Sequence, residues 1–247
     1  MNNAVLMICY DRTKEQHDLA VDALNSALAQ DIPVDVYVFD NGSTYPKTRE
    51  WLNDVANRNQ NVLVTREETN VSPVAVDNYM MDRLFTELNY PYILGIPDDI
   101  VLPPNAYRKL LGFPQGIVAA HMDSPNPPPI MDEVTRLHGD VHLAVPMVRK
   151  SAYDALITKD GYYMDEGYFN YCSDCDLKLR IIDAGITTAQ TDLRCWHYGG
   201  ASHRLAPAGQ REPDHAGEDR AYFIRKWNFS IGSPEWDSRI AKINEDR

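Results

Sequence analysis

The chain has 247 residues, 44% of them hydrophobic, and its 24 basic against 36 acidic residues give a formal net charge of −12. Broad binding to nucleic acid or to an anionic membrane rests on neutralising phosphates with Lys and Arg, so this balance disfavours both while leaving room for a local basic groove. No stretch approaches the ~20 apolar residues that span a bilayer, and no basic region precedes the short apolar segment at the N-terminus. The expectation is one cytoplasmic domain with two lobes and no internal repeat.

Ala4 to Tyr10 reads as a buried strand. Thr13 and Gln16 then form a capping-box pattern for a helix whose apolar stripe is Leu19, Ala23, Leu24, Ala27 and Leu28. A second strand, Val34 to Phe39, runs into Asp40-Asn41-Gly42-Ser43-Thr44, and Trp51, Leu52 and Val55 mark a second helix. Asn61 to Thr65 gives a third strand. Ser72-Pro73 is a favourable helix start, because Ser caps and Pro suits the first helical position. Met80, Met81, Leu84, Phe85 and Leu88 are the expected buried face of that helix.

The apolar run Tyr92-Ile93-Leu94-Gly95-Ile96-Pro97 ends in Asp98-Asp99 before hydrophobicity resumes at Ile100. Adjacent carboxylates at a strand end repel each other and lose solvation, and a hard divalent cation held by oxygen ligands, Mg2+ or Mn2+, compensates both effects. The plainer alternative is a type I turn, which Pro and Asp favour. The alternation of strands and helices predicts an α/β fold with a mostly parallel sheet covered by helices. Ligands collect beyond the carboxyl ends of such strands, where Asp40 and Asp98-Asp99 are expected. No G-x-G-x-x-G follows the first strand, and no Walker lysine motif occurs.

In the second half, Gly116 to Ala120 and Val141 to Val145 read as strands, with Pro125 to Pro129 as a stiff loop between them. Tyr162, Tyr163, Tyr168, Phe169 and Tyr171 form either core or a stacking platform. Asp165 and Glu166 either bind ligand hydroxyls or lie on a solvated turn. Ser173-x-x-Asp176 fits a capping box opening another helix. After Trp196-His197-Tyr198, Gly199 and Gly200 let backbone amides approach a phosphate. Ala201 to Asp219, with His203, Arg204, Arg211 and His215, reads either as a lid over an anionic ligand or as a solvated loop. Asp219 to Trp227 is an expected basic and aromatic helix. Cys172, Cys175, Cys195 and His197 offer a rival reading from another class, a zinc-stabilised binding module; buried thiols are the plainer assignment.

These motifs, in this order, resemble the inverting glycosyltransferases of family two, which have the GT-A fold. The resemblance spans roughly residues 4 to 227. Asp40-Asn41-Gly42-Ser43 looks like the family's D-N-G-S turn, which implies an Asp40 contact with the nucleotide base. Ile96-Pro97-Asp98-Asp99 sits where the D-x-D metal motif belongs, with Pro97 in place of its first Asp. Asp99 is then the implied main metal ligand, assisted by Asp98 and joined by His197. Ser173-Asp174-Cys175-Asp176-Leu177-Lys178-Leu179-Arg180 resembles the E-D-x-D-L-x-x-R block, with Ser173 in place of Glu and Asp174 matching the catalytic base.

The resemblance implies a metal-assisted transfer of a sugar from a nucleotide diphosphate to an acceptor hydroxyl. Tyr10, Arg12, Asn41, Asp98 and Arg204 complete the expected donor side, and Asp165, Glu166 and Asp176 the acceptor side. The implied acceptors are a saccharide, a lipid-linked glycan, a protein or a hydroxylated DNA base, since phage-type stand-alone members can act on modified bases. Residues 1–103 form the expected nucleotide-sugar half, 104–230 the acceptor and catalytic half, and 231–247 a tail. A nucleotidyltransferase is the runner-up enzyme, weakened because Cys9 to Lys14 lacks the glycines of its phosphate loop.

Overall fold

The computed structural model describes residues 3–123, 143–199, 204–206 and 215–245. Strand β1 (Asn3–Cys9) leads into α1 (Lys14–Leu28), then β2 (Asp35–Asn41), α2 (Pro46–Arg58), β3 (Val62–Glu67), α3 (Pro73–Asp82) and β4 (Tyr92–Pro97). The short β5 (Ile100–Val101), α4 (Ala106–Leu111), β6 (Ile117–Asp123), β7 (Pro146–Arg149) and α5 (Lys150–Asp160) follow. Helix α6 (Ser173–Asp183), β8 (Thr188–His197), α7 (Ala216–Trp227) and α8 (Pro234–Glu245) complete the described chain.

The eight strands form one mixed sheet in the order β3-β2-β1-β4-β7-β6-β8-β5. The pairings β3-β2-β1-β4 are parallel, as the strand-helix alternation requires, and β7 joins β4 antiparallel. Successive β1 residues point to opposite faces. Val5, Met7 and Cys9 enter the core under α1, whereas Ala4 and Leu6 enter the core built with α3, α5, α6 and α7. Burying side chains on both faces stabilises the sheet by roughly 1.5–3 kcal/mol for each large apolar residue.

The capping box at Thr13 and Gln16 forms as expected, with both reciprocal hydrogen bonds present. Four details differ from the sequence reading. Ser72 occupies the N-cap of α3, but its hydroxyl donates to the Phe169 carbonyl at 2.7 Å instead of capping, so it ties α3 to the segment before α6. A π-turn at Arg83–Glu87 extends α3, and its wider turn shifts the helical phase, leaving Leu88 44% exposed rather than on the buried face. The strand expected from 141 begins only at Pro146, after a turn over 143–145; the Pro125–Pro129 loop lies outside the described residues. Finally, the segment expected as a tail contains α8, and Trp236 packs 6.0 Å from Phe223 of α7, ring centre to ring centre.

Candidate active site

A cavity of about 460 Å³ lies between the sheet, α3 and α6. Its sheet wall follows from register, because the lining residues Leu6 and Ile8 of β1 stand opposite Gly95 and Pro97 of β4. Its helical walls follow from the four-residue repeat of Pro73, Asp77 and Met81 on α3 and from Ser173, Asp174 and Leu177 on α6. Tyr10, Arg12, Asn41 and Asp98 line it too, with the Tyr10 N–H on Asp98 and the Arg12 guanidinium over the Tyr10 ring, and Phe169, Tyr171 and His215 border the same space.

The strand β2 exit is held by a dense polar lattice. Asp40 is fully buried: one carboxylate oxygen accepts the Ser43 N–H at 2.9 Å and the other pairs with the Arg66 guanidinium, which also donates to the Ser43 carbonyl. Asp40 therefore braces the turn and does not line the cavity, contrary to the direct base contact expected of it. Its neighbour Asn41 does line the cavity, fixed by hydrogen bonds to Asn70 and to both backbone groups of Val71. Gly42 completes the turn at φ +77°, where an added Cβ would stand 2.5 Å from the Thr69 carbonyl carbon.

Asp11 was not singled out in the sequence, yet it joins this lattice to β1. Fully buried, it accepts from Thr48 Oγ1 at 2.8 Å, lies 3.2 Å from His17 Nδ1, and its backbone N–H donates to Ser43 Oγ. Its Oδ1 has no hydrogen-bond partner among the described residues. The only local signal was a carboxylate two residues beyond a buried strand.

The two aspartates after β4 diverge. Asp98 turns into the cavity and accepts the Tyr10 N–H at 3.0 Å, and burial, followed by the charges of Asp11 and Asp99, pushes its carboxyl up to about 8. Asp99 is buried beside His197, with Oδ1 3.3 Å from Nε2, because Ile100 of β5 pairs with His197 of β8. The turn and the acidic site are thus the same structure.

Among the described residues no three His, Cys, Asp or Glu side chains converge as a complete metal cage. A carboxylate-imidazole pair beside the crowding charge of Asp98 nonetheless fits a cation that takes its remaining ligands from a diphosphate, as Mg2+ and Mn2+ sites commonly do.

Across the cavity, α6 starts from Cys172 in the left-handed region at φ +62°. Ser173 is the first helical residue rather than the expected cap, and its hydroxyl donates back to the Asn170 carbonyl at 2.7 Å. Asp174 sits in the first turn of α6 and lines the cavity.

Residues 4–116 match the family model described as Glycosyl transferase family 2. The described fold is also that of solved glycosyltransferases. S. aureus TarS 1–349 in complex with UDP superposes with a TM-score of 0.60 at 15% identity, over 98% of this chain and 80% of that one. The mannosyltransferase PcManGT from Pyrobaculum calidifontis, in complex with GDP-Man and Mn2+, gives 0.61 at 14% identity, over 98% of this chain and 68% of that one. No curated protein matches significantly. The expected GT-A architecture is therefore correct, and the family-two match covers residues 4–116 of it.

Outside that match, the GT-A fold disposes the acceptor-side candidates unevenly. Asp176 is fully buried and accepts from Arg180 Nε at 2.8 Å and Trp227 Nε1 at 2.8 Å, with Lys226 Nζ 2.7 Å away. Asp165 shares Lys226 at 2.6 Å and accepts from Gly167 N–H and Tyr222; although burial raises its carboxyl, these contacts bring it below the usual range. Neither residue lines the cavity, because both are committed to holding α6, α7 and the intervening chain together; this corrects the acceptor contacts expected of them. Glu166 accepts from Asn78 at 2.9 Å and borders a separate hollow that shares Phe169 and His215 with the main cavity. Arg204 lies beyond the cavity wall, its guanidinium 5.1 Å from the Tyr198 ring centre.

Asp219 is the second site residue that sequence reading left unused. Almost wholly buried in α7, it accepts the backbone N–H groups of Phe169, Asn170 and Tyr171 at 2.9, 3.0 and 2.7 Å. It thereby fixes the segment that delivers Asp174. No local pattern signals a pairing across nearly fifty residues of chain.

The zinc alternative does not survive the fold. Cys172 and Cys175 begin α6 while Cys195 is buried in β8, and no three potential ligands gather among the described residues. Burial pushes the Cys195 thiol up to about 12, and burial with the Asp174 charge does the same for Cys175, opposing the thiolate that zinc requires.

Proposed function

We propose that the chain is a metal-assisted, inverting glycosyltransferase that moves a sugar from a nucleotide diphosphate to an acceptor hydroxyl, with Asp174 as general base. The observation that carries this reading is that Asp98, at the end of β4, and Asp174, in the first turn of α6, line one cavity. The solved relatives bound to UDP and GDP-Man support a nucleotide-sugar donor.

Asn41, Arg12 and Tyr10 hold the nucleotide end, with Asp40 and Arg66 keeping the turn beneath them rigid. Asp99 and His197, with Asp98 beside them, are the residues that would hold Mn2+ or Mg2+, which would supply charge neutralisation for the leaving diphosphate. Asp174 accepts the proton of the acceptor hydroxyl as its oxygen attacks the anomeric carbon. Attack opposite the departing diphosphate inverts that centre. Glu166 and the rings of Phe169 and Tyr171 receive the acceptor, and Asp219 positions that wall without touching it.

The reading is tested by thermal stabilisation with nucleoside diphosphates and nucleotide sugars, each with and without Mn2+ or Mg2+. A ligand that binds only the folded state raises the apparent stability by mass action. A metal-dependent shift selective for one nucleotide is the expected result. Identical melting with every nucleotide and metal would remove the donor assignment.

A further inference from the structure

One part of the cavity wall carries a carboxylate that the proposed transfer does not use. Asp77 lies on the cavity-facing stripe of α3, between Pro73 and Met81, in electrostatic contact with Tyr163. Burial alone pushes its carboxyl up to about 7. Among the described residues no cation and no hydrogen-bond donor is paired with it.

The surrounding wall is rigid. Asn78, the next residue on α3, donates to the Met164 carbonyl at 2.8 Å and accepts the Met164 N–H at 2.7 Å, a two-point clamp. Arg180 holds the same segment from behind, donating to the Tyr163 carbonyl at 2.5 Å. Tyr163 is itself buried against Tyr153. A carboxylate among methionine and tyrosine walls is complementary to a compact ammonium, which gains both the charge and the aromatic surface.

We propose that this part of the cavity, formed by Asp77, Met81, Tyr163, Met164 and Leu177, is a subsite for the ammonium group of an amino sugar. The inference deepens the glycosyltransferase reading and rests on it for the sugar, but the ammonium preference follows from the subsite alone. A neutral sugar leaves the Asp77 charge uncompensated, and an N-acetylated one adds bulk while removing the cation.

The test is ligand-observed NMR titration of the full chain near neutral pH with glucosamine, glucose and N-acetylglucosamine, repeated on Asp77→Asn. Wild type should bind glucosamine about tenfold more tightly than glucose, the scale of a hydrogen bond to a charged group, and Asp77→Asn should lose that preference. Equal affinities in wild type, no detectable binding of glucosamine, or an unchanged preference in Asp77→Asn would each overturn the proposal. The wild-type comparison decides even if the variant fails to fold.

Repeating the titration with saturating UDP or GDP separates the sources of the amino sugar. Undiminished glucosamine binding marks an acceptor subsite, and competition by a nucleotide-linked amino sugar marks a donor subsite. Nucleotide binding in the same samples reports on the transferase reading independently, so failure of one is distinguishable from failure of the other.

Discussion

Asp99 Oδ1 stands 3.3 Å from His197 Nε2, although the two residues belong to different halves of the chain. The pairing of β5 with β8 creates this contact, so the geometry of the acidic site depends on a strand from the second half. Asp99→Asn and His197→Ala should each weaken Mn2+ binding at least tenfold in the presence of a nucleoside diphosphate. Electron paramagnetic resonance titration of free Mn2+ measures this directly; unchanged affinity in both variants would move the metal elsewhere.

Asp174→Asn keeps the size and position of the side chain while removing its basicity. Turnover should fall by about 10²–10⁴-fold, the usual range for a general base, with nucleotide-sugar affinity retained. Steady-state rates beside donor titration separate the two quantities. A rate within a few-fold of wild type would reassign the base.

Removing the Asp219 carboxylate leaves the N–H groups of Phe169, Asn170 and Tyr171 without their acceptor. Asp219→Ala should destabilise the fold by about 2–4 kcal/mol, and Asp219→Asn by less because its amide oxygen still accepts. Urea denaturation of the two variants provides the comparison. Activity should fall with the alanine variant even below its melting temperature, since the segment leading to Asp174 loses its anchor.

Asp77 and Asp98 give the fold a defined pH response. Their folded carboxyls titrate at about 7 and about 8, above the ordinary 3.8, so the folded state binds more protons than the unfolded state between these limits. Stability contributed by these groups is therefore greatest at acid pH and declines as pH rises from about 4 through about 8. Asp77→Asn should flatten part of that decline and stabilise the protein at pH 8 by at most about 4 kcal/mol. Chemical denaturation at pH 5 and pH 8 tests the sign.

Gly42→Ala should be strongly destabilising. The left-handed backbone alone disfavours a side chain by about 1–3 kcal/mol, and the added Cβ would meet the backbone at Thr69 and Asn70. Thermal melting should show a clear loss, whereas Gly161→Ala, also at positive φ but with open space around its Cβ, should lose only the backbone part.

Much of the architecture was legible because its causes are local. The Thr13-Gln16 box, the Pro residue that opens α3, and the apolar runs of β1, β2 and β4 each specify an element within a few residues. The π-turn after α3 was not legible, since its composition is that of an ordinary helix and its extra residue is decided by packing. The misread tail has the same origin: α8 is stabilised by Trp236 and Ile240 packing against the core around Phe223.

The sequence by itself determined the alternation of strands and helices, the acidic turn after β4 and the carboxylate opening α6, because strand periodicity, helix capping and charge crowding act over short spans. Only the tertiary structure decided which carboxylates face the cavity. Asp40, Asp165 and Asp176 look as available in sequence as Asp98 and Asp174, but Arg66 and Lys226, brought from distant positions, occupy their oxygens. Whether a carboxylate is a brace or a reagent depends on where the nearest cation folds to, and that is a property of long-range packing.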